Sequence, residues 1–528
     1  MKKKINTFIV CAGTMLAAAS CISLDTPPYD KETDLTYWSE DPSSAEAVIN
    51  SCYTRLTSMH EMLYMEGASD NAYVKGLTST QPIANGSMST DNSYVKGIWD
   101  NYYAGIRLCN ELLNNINKVP SLAADLKARY IAEATTLRAY FYYELYTRFG
   151  DIPYTEKVLT VAESETIGRT PKATVVSNII KDLEGVLTTK ALPKKYEGGE
   201  RGRITEGAAK AILAKVHLFE GNYAEVKTLT QDIMGSQTYE LYPDYSDLFT
   251  IGKEYNCEVI LDAQYTPAFR EHNVMYYFLP PSMGGYSDLA PVQELVDSYI
   301  MTNGKGIKEA GSGYDANSPY DNRDPRLAAT VMYSGNSYKM ADGTNNVIDC
   351  INGRDGYNTT SDVTPTGFYL KKWWDNKYRL TLQSGLNPIL IRYADILLMN
   401  AEAHVETTGM TEAVWNQTIK LIRQRAGFTE DSALNYNASA NMRDVVRNER
   451  RSELAFEGGR YKDIIRWRIA ENVLNGKVHG LYTGATVGTD NGFVILETRN
   501  FDAQKHYLWP IPQKDRDINK NLTQNPNW

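Results

Sequence analysis

Three carboxylates, Glu449, Glu453 and Glu457, follow one another at four-residue steps, which would set them along one face of a helix. Two carboxyl groups brought together by a fold are all that glycoside hydrolysis requires, one as acid and the other as base or nucleophile. Their neighbours argue for a different use. Arg450 and Arg460 are interleaved with them at helical spacing, so each carboxylate has a cation within reach. A general acid needs the opposite surroundings, an apolar pocket that raises its pKa. The spacing therefore predicts ion pairs, and Arg138 and Arg392 read likewise as charges locking one helix to another. No other catalytic set is spelled out: H-E-x-x-H, G-x-S-x-G, G-x-x-x-x-G-K-[ST] and G-x-G-x-x-G are all missing from the sequence. The histidines His60, His217, His272, His404, His479 and His506 are scattered, with none at metal-ligand spacing. Neither a metal nor a cofactor is expected.

Recognition without bond making has better material. The chain holds 37 tyrosines against 12 phenylalanines, and a tyrosine offers a flat apolar face with a hydroxyl at its rim. Sugar rings stack their C–H faces on such planes, while their hydroxyl edges seek amide or carboxylate partners. Two irregular stretches carry candidates. The first, a polar run from Glu66 to Lys96, supplies Asp70, Asn71, Tyr73 and Tyr94. The second, from Tyr242 to Gly385, supplies Tyr276, Tyr277, Tyr286, Tyr314 and the Trp373–Trp374 pair. That pair follows a strand-like run, so at most one of the two can face a ligand, and Trp374 is the candidate. A net charge of −9 with no basic stripe argues against a nucleic-acid partner.

The elements that would hold these residues are mostly helical. From Ala132 onward, Ala134, Leu137, Phe141 and Leu145 recur at three- and four-residue steps, with Gly150 as a stop and Pro153 beyond it. Helical patterns also begin at Ser43, with Ser43 or Ser44 as cap, and run over Ile98–Ile116 and Thr174–Val186. Thr205–Met234 reads as an antiparallel helix pair of degenerate tetratricopeptide type, and Leu390–Glu406 with Thr411–Arg425 as a second. Single pairs cannot bury their own faces, so they must stack. At the start, Lys2, Lys3 and Lys4 precede an apolar run from Ile5 to Ala19, too short to span a bilayer and shaped like a signal peptide. Cys52, Cys109, Cys257 and Cys350 form no C-x-x-C pair, and most are expected to be buried free thiols.

Several blocks in one order resemble the SusD/RagB family of outer-membrane nutrient-binding lipoproteins. They include LDTPP from Leu24 and the set Glu133, Leu137, Arg138, Ala139, Leu145, Phe149, Gly150, Asp151, Ile152 and Pro153. Further matches are PVQELVDSYIMTNGKGI from Pro291, NRDPRL from Asn322, RYADILL from Arg392, NERRSELAFEGGRYKDIIRW from Asn448 and YLWPIPQ from Tyr507. LAAASC, ending at Cys21, is similar to a bacterial lipobox. The resemblance implies a mostly α SusD-like fold, a stack of tetratricopeptide-type pairs bearing a loop-rich lobe. It divides the chain into a signal peptide (1–20), a lipid-anchored tether (21–42) and one domain (43–528). Within that domain the helical frame is 43–241 and 386–470, the lobe 242–385 and the C-terminal segment 471–528. It implies acylation at Cys21, a place on the outer face of the outer membrane, oligosaccharide as ligand, and a SusC-like TonB-dependent transporter as partner. No binding residue carries over from a motif. A peptide-binding uptake protein and a surface glycoside hydrolase remain as alternatives.

Overall fold

The helix Ala124–Phe149 is the axis of the frame, and every residue from Thr136 to Phe149 is buried. A helix apolar on one stripe only could not be enclosed in this way; the ring of tyrosines lets all sides find apolar neighbours, while the hydroxyls of Tyr140 and Tyr142 are bonded to the Thr57 hydroxyl and the Thr155 carbonyl. Its neighbours are the helices Ser43–Tyr53, Ser93–Asn115, Lys172–Thr189 and Glu206–Phe219. The helix stops where Gly150 turns to φ 72°. Arg138 joins three helices, donating to Asn110 at 2.9 Å and to Asp182 at 2.7 Å. The computed structural model describes residues 37–38, 42–75, 80–119, 121–339, 343–357, 359–378 and 381–528. The signal segment, Cys21 and most of the tether lie outside the described residues.

One contact in this frame is unusually close. A Cβ placed on Gly105 would meet the Phe141 ring at 2.6 Å, so the two long helices approach only because position 105 carries no side chain. Alanine has the better helix propensity by about 1 kcal/mol, but overpacking a well-filled core costs about 1–3 kcal/mol. Gly105→Ala is therefore expected to destabilise the fold, read as a lower denaturant midpoint with an unchanged slope.

The expected helix pairs are present as Glu206–Phe219 with Tyr223–Gly235, and as Tyr393–Glu406 with shorter partners. Tyr223–Gly235 packs on Tyr393–Glu406, which packs on Met442–Glu453, so the pairs stack as single repeats must. Helix makes up 47% of the structure and the strands are few and small, as a mostly α architecture requires. Several boundaries differ from the sequence reading. Ile389–Arg392 is a strand rather than the first turn of a helix, pairing antiparallel with Val259–Asp262. The stretch Thr411–Arg425 is two helices, Glu412–Gln417 and Ile419–Ala426, broken at Thr418 where ψ is −87°. The helix expected from Ile98 begins at Ser93, because the Asn92 side chain accepts the amides of Tyr94 and Val95. Ser43–Tyr53 has Pro42 at its cap position, with no side-chain cap bond.

The polar run Glu66–Lys96 is also more ordered than its composition suggests. Ala72–Val74 is a strand that pairs antiparallel with Leu289–Pro291, and Gln81–Asn85 is a short helix. The C-terminal segment contributes the antiparallel strands Asn475–Tyr482 and Phe493–Asn500. Two large apolar clusters result, one inside the helical frame and one inside the lobe. The helix Met59–Gly67 serves both: Met65 packs into the first, and Met59, Met62, Leu63 and Tyr64 into the second.

The carboxylate row is enclosed between these two bodies. Glu453 accepts Arg392 at 2.6 Å and Arg326 at 2.9 Å, and pairs with Arg425 as well. Glu449 faces Arg326 at 2.6 Å and Arg423 at 2.8 Å, and Glu457 faces Arg392 and Lys372, both at 2.6 Å. Ion pairing holds, but the partners come from other elements rather than from the same helix. Arg450 turns instead to Asp395 and Asp463, and Arg460 to Asp70. Burial alone would raise the Glu453 carboxyl, yet Arg425, Arg392 and Arg326 together hold it well below the usual carboxylate range. That is the reverse of what a general acid needs. The expected salt-bridged turn at Asp321–Arg326 is present as Asp324 with Arg326 at 2.7 Å. Cys52, Cys109 and Cys350 are buried and Cys257 half-buried, all as free thiols.

Candidate functional site

Tyr276 sits on the short helix Val274–Phe278, whose Val274, Met275 and Phe278 point into the lobe core. The outward residue of that helix is consequently Tyr276, 39% exposed. The chain then turns through Pro281–Met283 and Gly284, at φ 84°, and returns so that the Tyr286 N–H donates to the Tyr276 carbonyl at 2.6 Å. The turn closes tightly: a Cβ on Gly285 would lie 1.9 Å from the Leu279 carbonyl oxygen, which only glycine avoids. Tyr286 is 37% exposed, and its ring lies 11° from parallel to that of Tyr276, with centroids 5.9 Å apart. Among the described tyrosines only Tyr276, Tyr286 and Tyr482 are exposed, and Tyr276 and Tyr286 are the near-parallel pair, which makes them the clearest aromatic platform there.

The platform is backed by further rings. Tyr277 meets Tyr276 edge-on at 5.3 Å and also stands at right angles to His60 at 6.2 Å. His60, exposed, stacks on the buried Tyr64 at 4.0 Å and 13°. The Tyr64 hydroxyl donates to Asp288 at 2.6 Å. Burial first, then the neighbouring Asp288 charge, raises that phenol far above its ordinary range, so it stays a hydrogen-bond donor. Burial also raises the Asp288 carboxyl, against the bond from Tyr64 and the charge of Lys75. The Lys75 ammonium lies 4.1 Å from the centroid of the Tyr286 ring. Flat faces beside the exposed His60 imidazole can stack on a sugar ring and bond its hydroxyls, while Tyr64 and Asp288 are buried and bonded to each other; among the described residues no pair of carboxylates is poised there for cleavage.

Of the residues expected from sequence, Tyr276, Tyr277 and Tyr286 are brought together here. Tyr73 and Tyr94 flank the group without joining it. Tyr73 is half-buried opposite Ala290, and the Tyr94 hydroxyl reaches the Glu61 carbonyl at 3.5 Å from a half-buried ring. Tyr314 is half-buried and belongs elsewhere in the lobe, with the Arg323 guanidinium 5.7 Å from its ring. Trp373 is buried and donates to the Phe456 carbonyl at 2.8 Å. Trp374 is half-buried, edge-on to Tyr338 at 6.5 Å, and packs against the lobe core. Two expectations need correction. Asp70 is buried and clamped by Arg460 at 2.8 and 2.9 Å, and Asn71 is buried between Glu66 and Arg451. Their polar atoms are already spent on the protein, so they fasten the first loop to the frame. Sequence reasoning missed His60, Tyr64, Lys75 and Asp288. His60 and Tyr64 stand four apart on a helix, a spacing that puts two rings on one face and could have flagged them.

A family model described as "SusD family" matches residues 249–528, and another, "Starch-binding associating with outer membrane", matches residues 25–218. The SusD-like protein P2 of Formosa agariphila is 26% identical over 562 residues, covering 99% of each chain. The SusD-like protein P25 of the same organism is 25% identical, over 92% of this chain and 94% of its own. A SusD-like carbohydrate binding protein of Bacteroides fragilis superposes with a TM-score of 0.83 at 29% identity, over 92% of this chain and 100% of the other. A laminarin binding SusD-like protein superposes with a TM-score of 0.70 at 22% identity, over 92% of this chain and 100% of the other, a likeness of fold alone.

Proposed function

The chain belongs to the SusD family, and from that membership we propose that it is a cell-surface glycan-binding lipoprotein that captures oligosaccharide without cleaving it. The observation that carries this reading is the exposed, near-parallel Tyr276–Tyr286 pair backed by Tyr277, His60 and Tyr64. An acyl chain at Cys21 would tether the domain to the outer membrane, each buried methylene adding about 0.8 kcal/mol. The partner is a SusC-like TonB-dependent transporter, to which captured glycan is passed. A tether would keep donor and acceptor within reach of one another, replacing a bimolecular encounter by an effective concentration of about millimolar order.

Affinity electrophoresis and calorimetry of the mature protein against soluble starch, laminarin, xylan, mannan, pectin and a set of oligopeptides test the reading. Saturable binding to at least one polysaccharide, with no new reducing ends after prolonged incubation, is the expected result. Binding to oligopeptides alone, or release of reducing ends, would replace it by one of the alternative readings.

A further inference from the structure

Lys75 directly follows the strand Ala72–Val74, and its main-chain N–H donates to the Asp288 carbonyl at 2.8 Å. Its Nζ makes three more bonds, to the carbonyls of Tyr286 at 2.5 Å, Ser361 at 2.8 Å and Val363 at 3.3 Å. An ammonium has three N–H donors and no acceptor, so three carbonyls satisfy it completely. Surface lysines ordinarily keep the charged head in water. This one is only half-exposed and spends every donor on main chain, beside the ring of Tyr286. Among the described residues no carboxylate lies within ion-pairing distance of it. One side chain thus holds the turn that carries Tyr286 against the 361–363 segment, with a positive charge at the ring.

Resting on the glycan-binding reading above, we propose that Lys75 is the positioning residue of the platform: its ammonium fixes Tyr286 parallel to Tyr276, and capture weakens when that proton is lost.

The physical basis is a change in donor count. A neutral amine keeps two N–H groups and gains a lone pair, so one of the three carbonyls would face a lone pair rather than a donor. The attraction of the cation for the ring disappears at the same time. Burial draws the Lys75 ammonium down to about 8, against the opposing charges of Asp288 and Asp362. Among the described residues the groups facing it are few. Asp288, on the turn that carries Tyr286, is occupied by the Tyr64 hydroxyl, and Asp362, on the 361–363 segment, is paired with Arg354 at 2.5 Å. On its own strand, Tyr73 is influenced by Glu497, Arg499 and Asp288. The positioned form is the protonated one, so it prevails below about pH 8 and is lost above it.

The test compares wild type, Lys75→Met and Lys75→Arg from about pH 6.5 to about pH 9.5, a window set by the lysine ammonium. Soluble starch and laminarin are the probes, and crystals of each protein read the two rings directly. Wild-type affinity is expected to fall about tenfold across the range, and Lys75→Met to be about tenfold weaker throughout with no pH dependence. Lys75→Arg should hold its affinity to the alkaline end, because a guanidinium stays charged. In Lys75→Met crystals Tyr286 should leave its parallel setting. Parallel rings in Lys75→Met, with wild-type affinity and pH profile, would overturn the proposal. If wild type binds neither polysaccharide, the glycan reading is the one in question, and ring geometry in the crystals still decides the role of Lys75. If Lys75→Met does not fold, wild-type crystals at the two pH extremes decide it: rings unmoved at the alkaline end would count against the proposal.

Discussion

Glu453→Ala is expected to be the most damaging single substitution in the molecule, leaving the protein unfolded or at least 3–5 kcal/mol less stable, about the cost of removing one partner of a buried ion pair. Glu453 is fully buried, and its carboxylate is shared by Arg326, Arg392 and Arg425. Glu449 and Glu457 would still partner Arg326 and Arg392, and Glu258 would still partner Arg392 and Arg425. The charge count would nevertheless be short by one in a place water does not reach. Truncation therefore strands a positive charge, while a matched exchange of the cluster for apolar residues would not. Far-UV circular dichroism and urea titration measure this, and an unfolding free energy within about 0.5 kcal/mol of wild type, the ordinary size of a surface effect, would refute it.

That cluster and a second buried one around Glu144 set the acid limit. Glu449 and Glu453 are held low by their arginines, and Glu144, otherwise raised by burial, is held at about 2 by Lys462 and Arg148. A carboxyl depressed in the folded state contributes stability above its unfolded pKa, about 4.3 for glutamate. That contribution is lost as pH falls toward the folded value. The urea midpoint should thus drop steeply between about pH 4.5 and about pH 2. Glu66, raised by burial to about 7, and Asp262, raised by burial to about 6, act with the opposite sign. The folded state keeps their protons longer than the unfolded one does, so their part of the stability declines as pH rises from about 4 to neutrality.

The helical frame was legible because its signals are local. The three- and four-residue spacing around Leu137, Phe141 and Leu145 and the stop at Gly150 need no knowledge of the rest of the chain. The ionic row was legible in kind but not in address. Alternating Glu and Arg announce pairing, whereas Arg326, Arg423 and Arg425 reach Glu449 and Glu453 only through the fold. The sequence suggests helix from Leu390 because the apolar residues there merge with those of the helix that follows, and the partner of the strand Ile389–Arg392, Val259–Asp262, lies far back in the chain. Composition misled at Asp70 and Asn71. A polar loop suggested contact with solvent or ligand, while Arg451 and Arg460, nearly four hundred residues on, claim both side chains. Lys75 carried no sequence signal at all, since its three acceptors are main-chain carbonyls, which every residue possesses.

Replacing both platform rings should abolish capture while sparing the fold. Tyr276 and Tyr286 are each more than a third exposed and belong to no buried cluster, so truncation opens no cavity in the core; the melting temperature of Tyr276→Ala/Tyr286→Ala should fall far less than affinity does. A stacked aromatic ring contributes about 0.5–1.5 kcal/mol beyond the area it covers. With that area included, about 2 kcal/mol per ring is a fair expectation, about thirtyfold in affinity. The two losses should not add fully, because the rings are parallel neighbours and the Tyr286 amide rests on the Tyr276 carbonyl. A double variant weaker by about a hundredfold or more is the result to look for, measured by calorimetry with the polysaccharide that wild type binds. Trp374→Ala is the matching control: a comparably large ring, half-buried against the lobe core, whose loss should cost stability and leave affinity in place. If the double tyrosine variant binds undiminished while Trp374→Ala, still folded, does not, the ligand surface lies around Trp374 and Tyr338 instead.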